Sequence, residues 1–157
     1  MPVGMESMPE KRWTFAEIEA LYRQLNPHGT CHEGKKVVVA EDNPPMRNLV
    51  CSALGKRGFE VFSAENGLQA LKLIRQHRPD CCILDLMLPQ IGGLDILEAM
   101  RKDENYAHIP VVIMTARKEK RDVIVAQQLG VSAYLIKPFA IEELIKRVEE
   151  ACSAKPS

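Results

Sequence analysis

Four short, continuous apolar runs constrain this chain more than any other feature: KKVVVAE (35–41), DCCILD (80–85), IPVVIMT (109–115) and VSAYLIK (131–137). Runs of this length without polar alternation suit strands buried on both faces, which is how parallel strands read. A weaker fifth, FEVFSA (59–64), falls between the first two. The segments between them carry helical apolar spacing: Met46, Leu49, Val50, Ala53 and Leu54; Leu68, Leu71 and Ile74; Ile96, Leu97 and Met100; Val123, Ala126 and Leu129. A last set, Leu144, Ile145 and Val148, closes the pattern. Five alternations of strand and helix with right-handed crossovers predict an α/β fold, a five-stranded parallel sheet with helices on both faces. The common strand order for such a chain is 2-1-3-4-5.

Punctuation agrees with this division. Pro44 and Pro45 suit the first turn of a helix, Gly58 and Gly130 follow helix ends, and Pro79 and Pro110 precede strands. Residues 1–33 lie outside the alternation and form an N-terminal extension with an amphipathic helix over about residues 14–25. Thr14 and Glu17 make a capping box there, Trp13 can staple onto Ile18, and Asn26-Pro27 stops the helix. Phe15, Ile18, Leu21, Tyr22 and Leu25 form one apolar stripe. That stripe must be covered by the same domain, by a second copy or by a partner. The main domain is predicted over 34–152 with a tail at 153–157, a length suited to one core and an appendage.

Charge narrows the partners. Twenty-one basic and twenty-one acidic side chains cancel, so no overall field draws the protein to nucleic acid or to an anionic membrane. The five cysteines, Cys31, Cys51, Cys81, Cys82 and Cys152, are odd in number and lack a CxxC spacing, which suits core thiols in a reducing compartment. No basic start precedes an apolar stretch, and nowhere do about eighteen apolar residues run together. A cytoplasmic protein that does not enter membranes is expected.

In open α/β sheets, ligands bind beyond the carboxyl ends of the strands, where strand order reverses. Those ends carry Glu41 and Asp42 after the first strand, Asp85 after the third, Thr115 after the fourth, and Lys137-Pro138 after the fifth. With strands 1 and 3 adjacent, three carboxylates share one pocket. Either one takes up a proton at a raised pKa or a cation holds them all ionised. An all-oxygen donor set favours a hard cation, Mg²⁺ above all. A hydroxyl and an ammonium beside it suit a phosphoryl group, with Asp85, at the end of the central strand, as the carboxylate nucleophile. The turn EDNPP has no glycine and two prolines lacking N–H groups, which argues against a nucleotide cradle. His28, His32, His77 and His108 lie away from strand ends, Gly92-Gly93 serves loop geometry, and RKEKRD (117–122) reads as a solvated helix start.

AEDNPPMR, DCCILDLMLPQIGG, VVIMTA and AYLIKPF, in this order and at these strand ends, resemble the receiver domain of two-component response regulators over about residues 34–152. The resemblance implies that Asp85 is the phosphorylated aspartate. It implies Mg²⁺ on Glu41, Asp42, Asp85 and the backbone carbonyl of Met87, with Lys137 on the phosphoryl oxygens and a cis bond to Pro138. Thr115 would be the switch hydroxyl and Tyr134 the aromatic that turns inward with it, while Met87 and Arg117, near the mouth of the acceptor, would tune the lifetime of the phosphoryl group. Many members have Asp-Asp where this chain has Glu41-Asp42, and the longer side chain should still reach the metal.

Partners implied are a histidine kinase or phosphotransfer protein as donor and a downstream target on the face made by helix 4, strand 5 and helix 5 of that domain. With no output domain or DNA-binding helix pair after the last helix, a single-domain regulator, not an enzyme, is expected to dock or pass the phosphoryl group on. The alternative is a phosphorylation-independent binding module, which would have no need for so charged a pocket. A third reading, an aspartyl phosphatase, needs an acid/base carboxylate two residues beyond the nucleophile, where this chain has Met87.

Overall fold

The computed structural model of the chain describes residues 12–25 and 34–153. These fall into two units, one within Met1–Cys31 and the other from His32 onward. The first contributes α1 (Phe15–Leu25). Its capping box is formed: Glu17 N–H donates to Thr14 Oγ1 at 3.2 Å, and Thr14 N–H donates to Glu17 Oε2 at 2.9 Å. The expected Asn26-Pro27 stop, the side chains of Tyr22 and Leu25, and residues 1–11, 26–33 and 154–157 lie outside the described residues.

The second unit runs β1 (Lys36–Ala40), α2 (Pro44–Gly55), β2 (Glu60–Ala64), α3 (Gly67–His77), β3 (Cys81–Leu84), α4 (Gly93–Lys102), β4 (Val111–Thr115), α5 (Lys120–Gln128), β5 (Ala133–Ile136) and α6 (Ile141–Ser153). All pairings are parallel, in the order β2-β1-β3-β4-β5. This is the expected doubly wound sheet with its switch point between β1 and β3.

Every residue of β3 and β4 is buried, as are Val37 to Ala40 of β1, because helices cover both faces. Successive side chains go to opposite layers. Val38, Ala40, Cys82, Leu84, Val111 and Ile113 pack with Ala70 and Ile74 of α3 and Ile96, Leu97 and Met100 of α4. Val37, Val39, Cys81, Ile83, Val112 and Met114 pack with Val50 and Leu54 of α2 and Leu144, Ile145 and Val148 of α6. β2 and β5 are the edges and only half covered; β2 reads weakly because the polar residues Glu60 and Ser63 stand exposed within it, whereas β5 keeps an unbroken apolar run. Cys81 and Cys82 are fully buried free thiols, and burial pushes the Cys82 thiol well up, so it stays protonated in the core.

Local chemistry sets the helix starts. Asn43 accepts from Met46 N–H at 3.0 Å with Pro44 and Pro45 at the first helical positions, and Asn66 accepts from Gln69 N–H at 2.8 Å. Gly58 and Gly130, with φ of 91° and 71°, let the chain turn back after α2 and α5.

Gly67, the first residue of α3, lets the β2–α3 turn lie against the β3–α4 loop. Its N–H donates to the Pro89 carbonyl at 3.0 Å, and a Cβ there would stand 1.9 Å from the Ile91 carbonyl oxygen. Helix propensity alone says that Gly67→Ala stabilises by about 1 kcal/mol. The backbone overlap outweighs this. Urea unfolding of the variant should show a loss of about 1–3 kcal/mol; a midpoint at or above wild type would show that the contact does not constrain the fold.

Candidate functional site

Strand register assembles the site. Ala40 pairs with Leu84, so Glu41 and Asp85 leave adjacent strands side by side, and the ladder continues through Asp85 N–H to the Ala40 carbonyl at 3.1 Å. Leu84 pairs with Ile113, which places Thr115 just beyond the level of Asp85 on the other side. Thr115 pairs with Ile136, and Lys137 N–H donates to the Thr115 carbonyl at 2.8 Å. The first, third, fourth and fifth strands thus deliver their end residues to one edge of the sheet.

The side chains converge there. Carboxylate oxygens of Glu41, Asp42 and Asp85 all lie within 4.8 Å of one another. Glu41 is fully buried, Asp85 is 4% exposed and Asp42 faces solvent. Lys137 Nζ reaches between strands to Glu41 Oε1 and to Asp85 Oδ2, the latter at 2.8 Å. Asp85 Oδ1 accepts from Met87 N–H at 2.9 Å, and Glu41 Oε2 accepts from Asn43 N–H at 3.3 Å. The Lys137–Pro138 peptide bond is cis, as expected from the motif.

One ammonium opposes three carboxylates. Burial pushes the Glu41 carboxyl above its ordinary value and the nearby Asp85 charge adds to this, more than the Lys137 hydrogen bond and charge offset. For Lys137 burial works to lower the pKa, yet the hydrogen bonds to Asp85 and Glu41 prevail and hold it above the ordinary lysine value. The pocket is short of positive charge, and its all-oxygen, partly open donor set fits a hard divalent cation.

Thr115 and Tyr134 stand on the far side of Asp85 from Glu41. Thr115 is fully buried, and its Oγ1 accepts from Arg117 N–H at 3.3 Å. The half-buried Tyr134 donates its hydroxyl to the Arg117 carbonyl at 2.8 Å. Burial and the carboxylates of Asp122 and Glu119 raise the Tyr134 pKa, so the hydroxyl stays a donor. Met87 is 57% exposed at the mouth. His77, assigned no chemistry, stacks on Phe62 with centroids 3.7 Å apart.

Two supporting residues are visible only in three dimensions. Arg47 Nη1 donates to the backbone carbonyls of Glu41 at 2.8 Å and Asp42 at 3.4 Å, fixing the acidic loop. Gly93, read from sequence as loop geometry, is a close-approach position: its N–H donates to the Leu86 carbonyl at 3.2 Å, and a Cβ would come 2.4 Å from the Asp85 carbonyl oxygen. The first turn of α2 is flagged by Pro44 and Pro45, which stand at its first two positions. Arg47 left no comparable trace, since its acceptors are main-chain carbonyls.

Residues 37–149 match the family model described as the response regulator receiver domain. The chain belongs to the response regulator receiver family. It is 35% identical over 115 residues to the polar-differentiation response regulator DivK of Brucella anthropi, covering 73% of this chain and 94% of that protein. It is 34% identical over 116 residues to the phosphate regulon transcriptional regulatory protein PhoB of Pseudomonas aeruginosa, covering 74% of this chain. The match spans about half (51%) of the length of PhoB. Among solved structures, a Francisella response regulator receiver domain superposes with a TM-score of 0.70 at 31% identity, covering 76% of this chain and 97% of that one. The chemotaxis response regulator CheY4 of Vibrio cholerae gives 0.69 at 27% identity, covering 75% and 98%.

Receiver domains are regulatory phosphoacceptor domains of two-component signalling that work with histidine kinases and downstream targets and generally bind Mg²⁺ at an acidic pocket. Glu41, Asp42 and Asp85 form the acidic cluster of this chain. No helix among the described residues is long and apolar enough to cross a membrane.

The charge imbalance has a measurable consequence. Glu41 holds its proton more tightly in the folded than in the unfolded chain, so its contribution to stability is greatest at low pH and is lost as pH rises through its raised native pKa. Above that pKa the buried Glu41 carboxylate therefore works against the fold. Glu41→Gln removes that buried charge and should raise Tm, measured at pH 7.5 in a chelator, by roughly 3 °C. An unchanged or lower Tm would mean that the cluster is not electrostatically strained.

Proposed function

We propose that Asp85 accepts a phosphoryl group from a phosphohistidine on a histidine kinase or phosphotransfer protein, and that the modified chain signals by docking to a target or passing the group on. The observation that carries this reading is the pairing of Asp85 with Lys137 at 2.8 Å inside the three-carboxylate cluster. A buried carboxylate whose neighbours are an ammonium and two further carboxylates is built for charge transfer at that atom rather than for packing.

Asp85 Oδ attacks phosphorus in line. The P–N bond breaks, its electron pair stays on the imidazole, and that nitrogen takes a proton. An acyl phosphate forms. Lys137, already directed at Asp85, neutralises charge on the transferring oxygens, and Met87 N–H holds the other carboxylate oxygen so that the attacking one keeps its direction. Glu41, Asp42, Asp85 and the Met87 carbonyl would hold Mg²⁺, which when bound screens the carboxylates and the phosphoryl charge.

The new acceptor oxygens then draw the Thr115 hydroxyl, and Tyr134 follows inward, which changes the face formed by α5, β5 and α6. This is the helix 4–strand 5–helix 5 face in the numbering of the receiver alone. Ile124 and Ile136 are exposed on it, as suits a protein partner. Water attack on the acyl phosphate resets the chain. The acting domain is 34–152, with residues 1–33 as an appendage that carries α1.

Intact-mass measurement after incubation with Mg²⁺ and acetyl phosphate or phosphoramidate tests the reading. Wild type should gain one phosphoryl group, and Asp85→Asn none; Lys137→Met should bind Mg²⁺ but lose phosphorylation by roughly 10²-fold or more. A wild type that gains nothing and binds no Mg²⁺ would leave the phosphorylation-independent binding module as the better reading.

A further inference from the structure

Among the described residues, Cys81 and Cys152 are set against each other. Cys81 opens β3 and is fully buried, while Cys152 lies half-buried in the last turn of α6, packed on the layer that holds Cys81. Successive strand residues face opposite layers, so Cys82 belongs to the α3–α4 side and is turned away from α6. The Cys81 and Cys152 thiols are hydrogen-bond partners with Cys81 as donor, its other acceptor being the Cys82 carbonyl at 3.7 Å. Lys35 Nζ donates to the Cys152 carbonyl at 2.9 Å. An ammonium thus sits on the negative end of α6, at the residue that carries the thiol.

We propose that Cys152 is a site of oxidation by hydroperoxides, with Cys81 as its resolving thiol, so that the pair closes to a disulfide tying the last turn of α6 to the start of β3. The Cys152 sulfur, having given up its proton, attacks one peroxide oxygen and the O–O bond breaks. The hydroxide that leaves takes up that proton; sulfur is oxidised to a sulfenic acid and the peroxide is reduced to water. The Cys81 sulfur then attacks the Cys152 sulfur, the S–OH bond breaks, and the departing hydroxide takes the Cys81 proton. Two thiols and one hydrogen peroxide give one disulfide and two waters. A disulfide of this kind is transient in a reducing compartment and is reset by a thiol reductant. Neither step involves Asp85, so the thiol chemistry stands apart from the phosphoryl reading.

Reactivity at cysteine follows thiolate character and access. The hydrogen bond from Cys81 and the Lys35 charge hold the Cys152 thiol below its ordinary value, against burial and the Asp80 and Glu149 carboxylates, which work to raise it. The same hydrogen bond and burial hold the Cys81 thiol well up, so it stays protonated and serves as the donor. Cys51, half-buried on α2, supplies the contrast: burial pushes its thiol up and the Arg47 charge offsets this only in part. Cys152 stands one residue from the end of α6, which leaves the final turn free to adjust to the Cβ separation that a disulfide requires. Two thiols that only filled space would give no cross-link on oxidation.

Treatment of the reduced full-length protein with hydrogen peroxide, followed by intact mass and non-reducing peptide mapping, tests the pair. Wild type should lose the mass of two hydrogens and give a Cys81–Cys152 cross-linked peptide that dithiothreitol removes. The cross-linked chain should melt roughly 5–10 °C above the reduced one. Cys152→Ser should give no intramolecular cross-link, and Cys81→Ala should stop at a sulfenic acid on Cys152 that dimedone captures. Cys31→Ser and Cys51→Ser should cross-link as wild type does. Iodoacetamide at pH 7.5 should alkylate Cys152 about 10-fold faster than Cys51, and Lys35→Met should slow Cys152 alone by a few-fold. A peroxide-treated wild type that keeps both thiols, or that carries its disulfide on Cys31 or Cys51, would overturn the proposal, as would a dimedone yield equal in wild type and Cys81→Ala. If Cys81→Ala does not fold, the mapped cross-link and its loss in Cys152→Ser decide the matter by themselves.

Discussion

One ammonium group facing three carboxylates is the interaction on which the rest of the site depends. Lys137 can bond both Glu41 and Asp85 only because β1, β3 and β5 end at the same level of one parallel sheet, although the lysine lies 96 residues from the first and 52 from the second. A single positive charge cannot neutralise the cluster, and burial, with the Asp85 charge added to it, holds the Glu41 carboxyl above its ordinary pKa. A region so arranged is costly to the fold unless a cation screens it, which is the basis of the Mg²⁺ and phosphoryl chemistry proposed for it.

The scaffold is arranged to hold this edge rigid. β3 and β4 are buried from end to end, so the strands that carry Asp85 and Thr115 have little room to shift. The loops that finish the site are fixed by main-chain contacts: Arg47 on the carbonyls of Glu41 and Asp42, Gly93 against the backbone of Asp85 and Leu86, and the Asn43 cap on α2. The β4–α5 loop differs. Its ties meet on one residue: Arg117 N–H donates to Thr115 Oγ1, its carbonyl accepts from the Tyr134 hydroxyl and its Nε pairs with Asp122. Several anchors around the carboxylates and one shared residue beside the hydroxyls suit the two-state switch proposed for this domain.

Sequence pattern was legible wherever a residue's environment follows from its neighbours along the chain. β1, β3, β4 and β5 show as unbroken apolar runs, while β2, interrupted by the exposed Glu60 and Ser63, shows only faintly. Glu41, Asp42, Asp85, Thr115 and Lys137 could be picked out because topology sends strand ends to one edge, and the structure does bring them there. Arg47, Arg101 and Asp122 could not. Arg47 and Arg101 bond to carbonyls of the main chain, Arg101 to those of Ala107, Ile109, Leu129 and Gly130, and no residue identity announces such acceptors. Asp122 sat within a charged run that reads as solvated, and its burial depends on how α5 turns against the sheet.

By itself, then, the amino-acid order determined the alternation of strands and helices, the parallel sheet and the set of polar residues at its carboxyl edge, because periodicity, capping and turn chemistry are local. Tertiary structure alone decided that Ala40 stands opposite Leu84 and Thr115 opposite Ile136, which carboxylates Lys137 bridges, and that Arg117 joins the hydroxyls of Thr115 and Tyr134 to Asp122. Register between parallel strands and the closure of a loop onto a helix are set by contacts between residues far apart in the chain, and only the packed core makes those contacts mutually consistent.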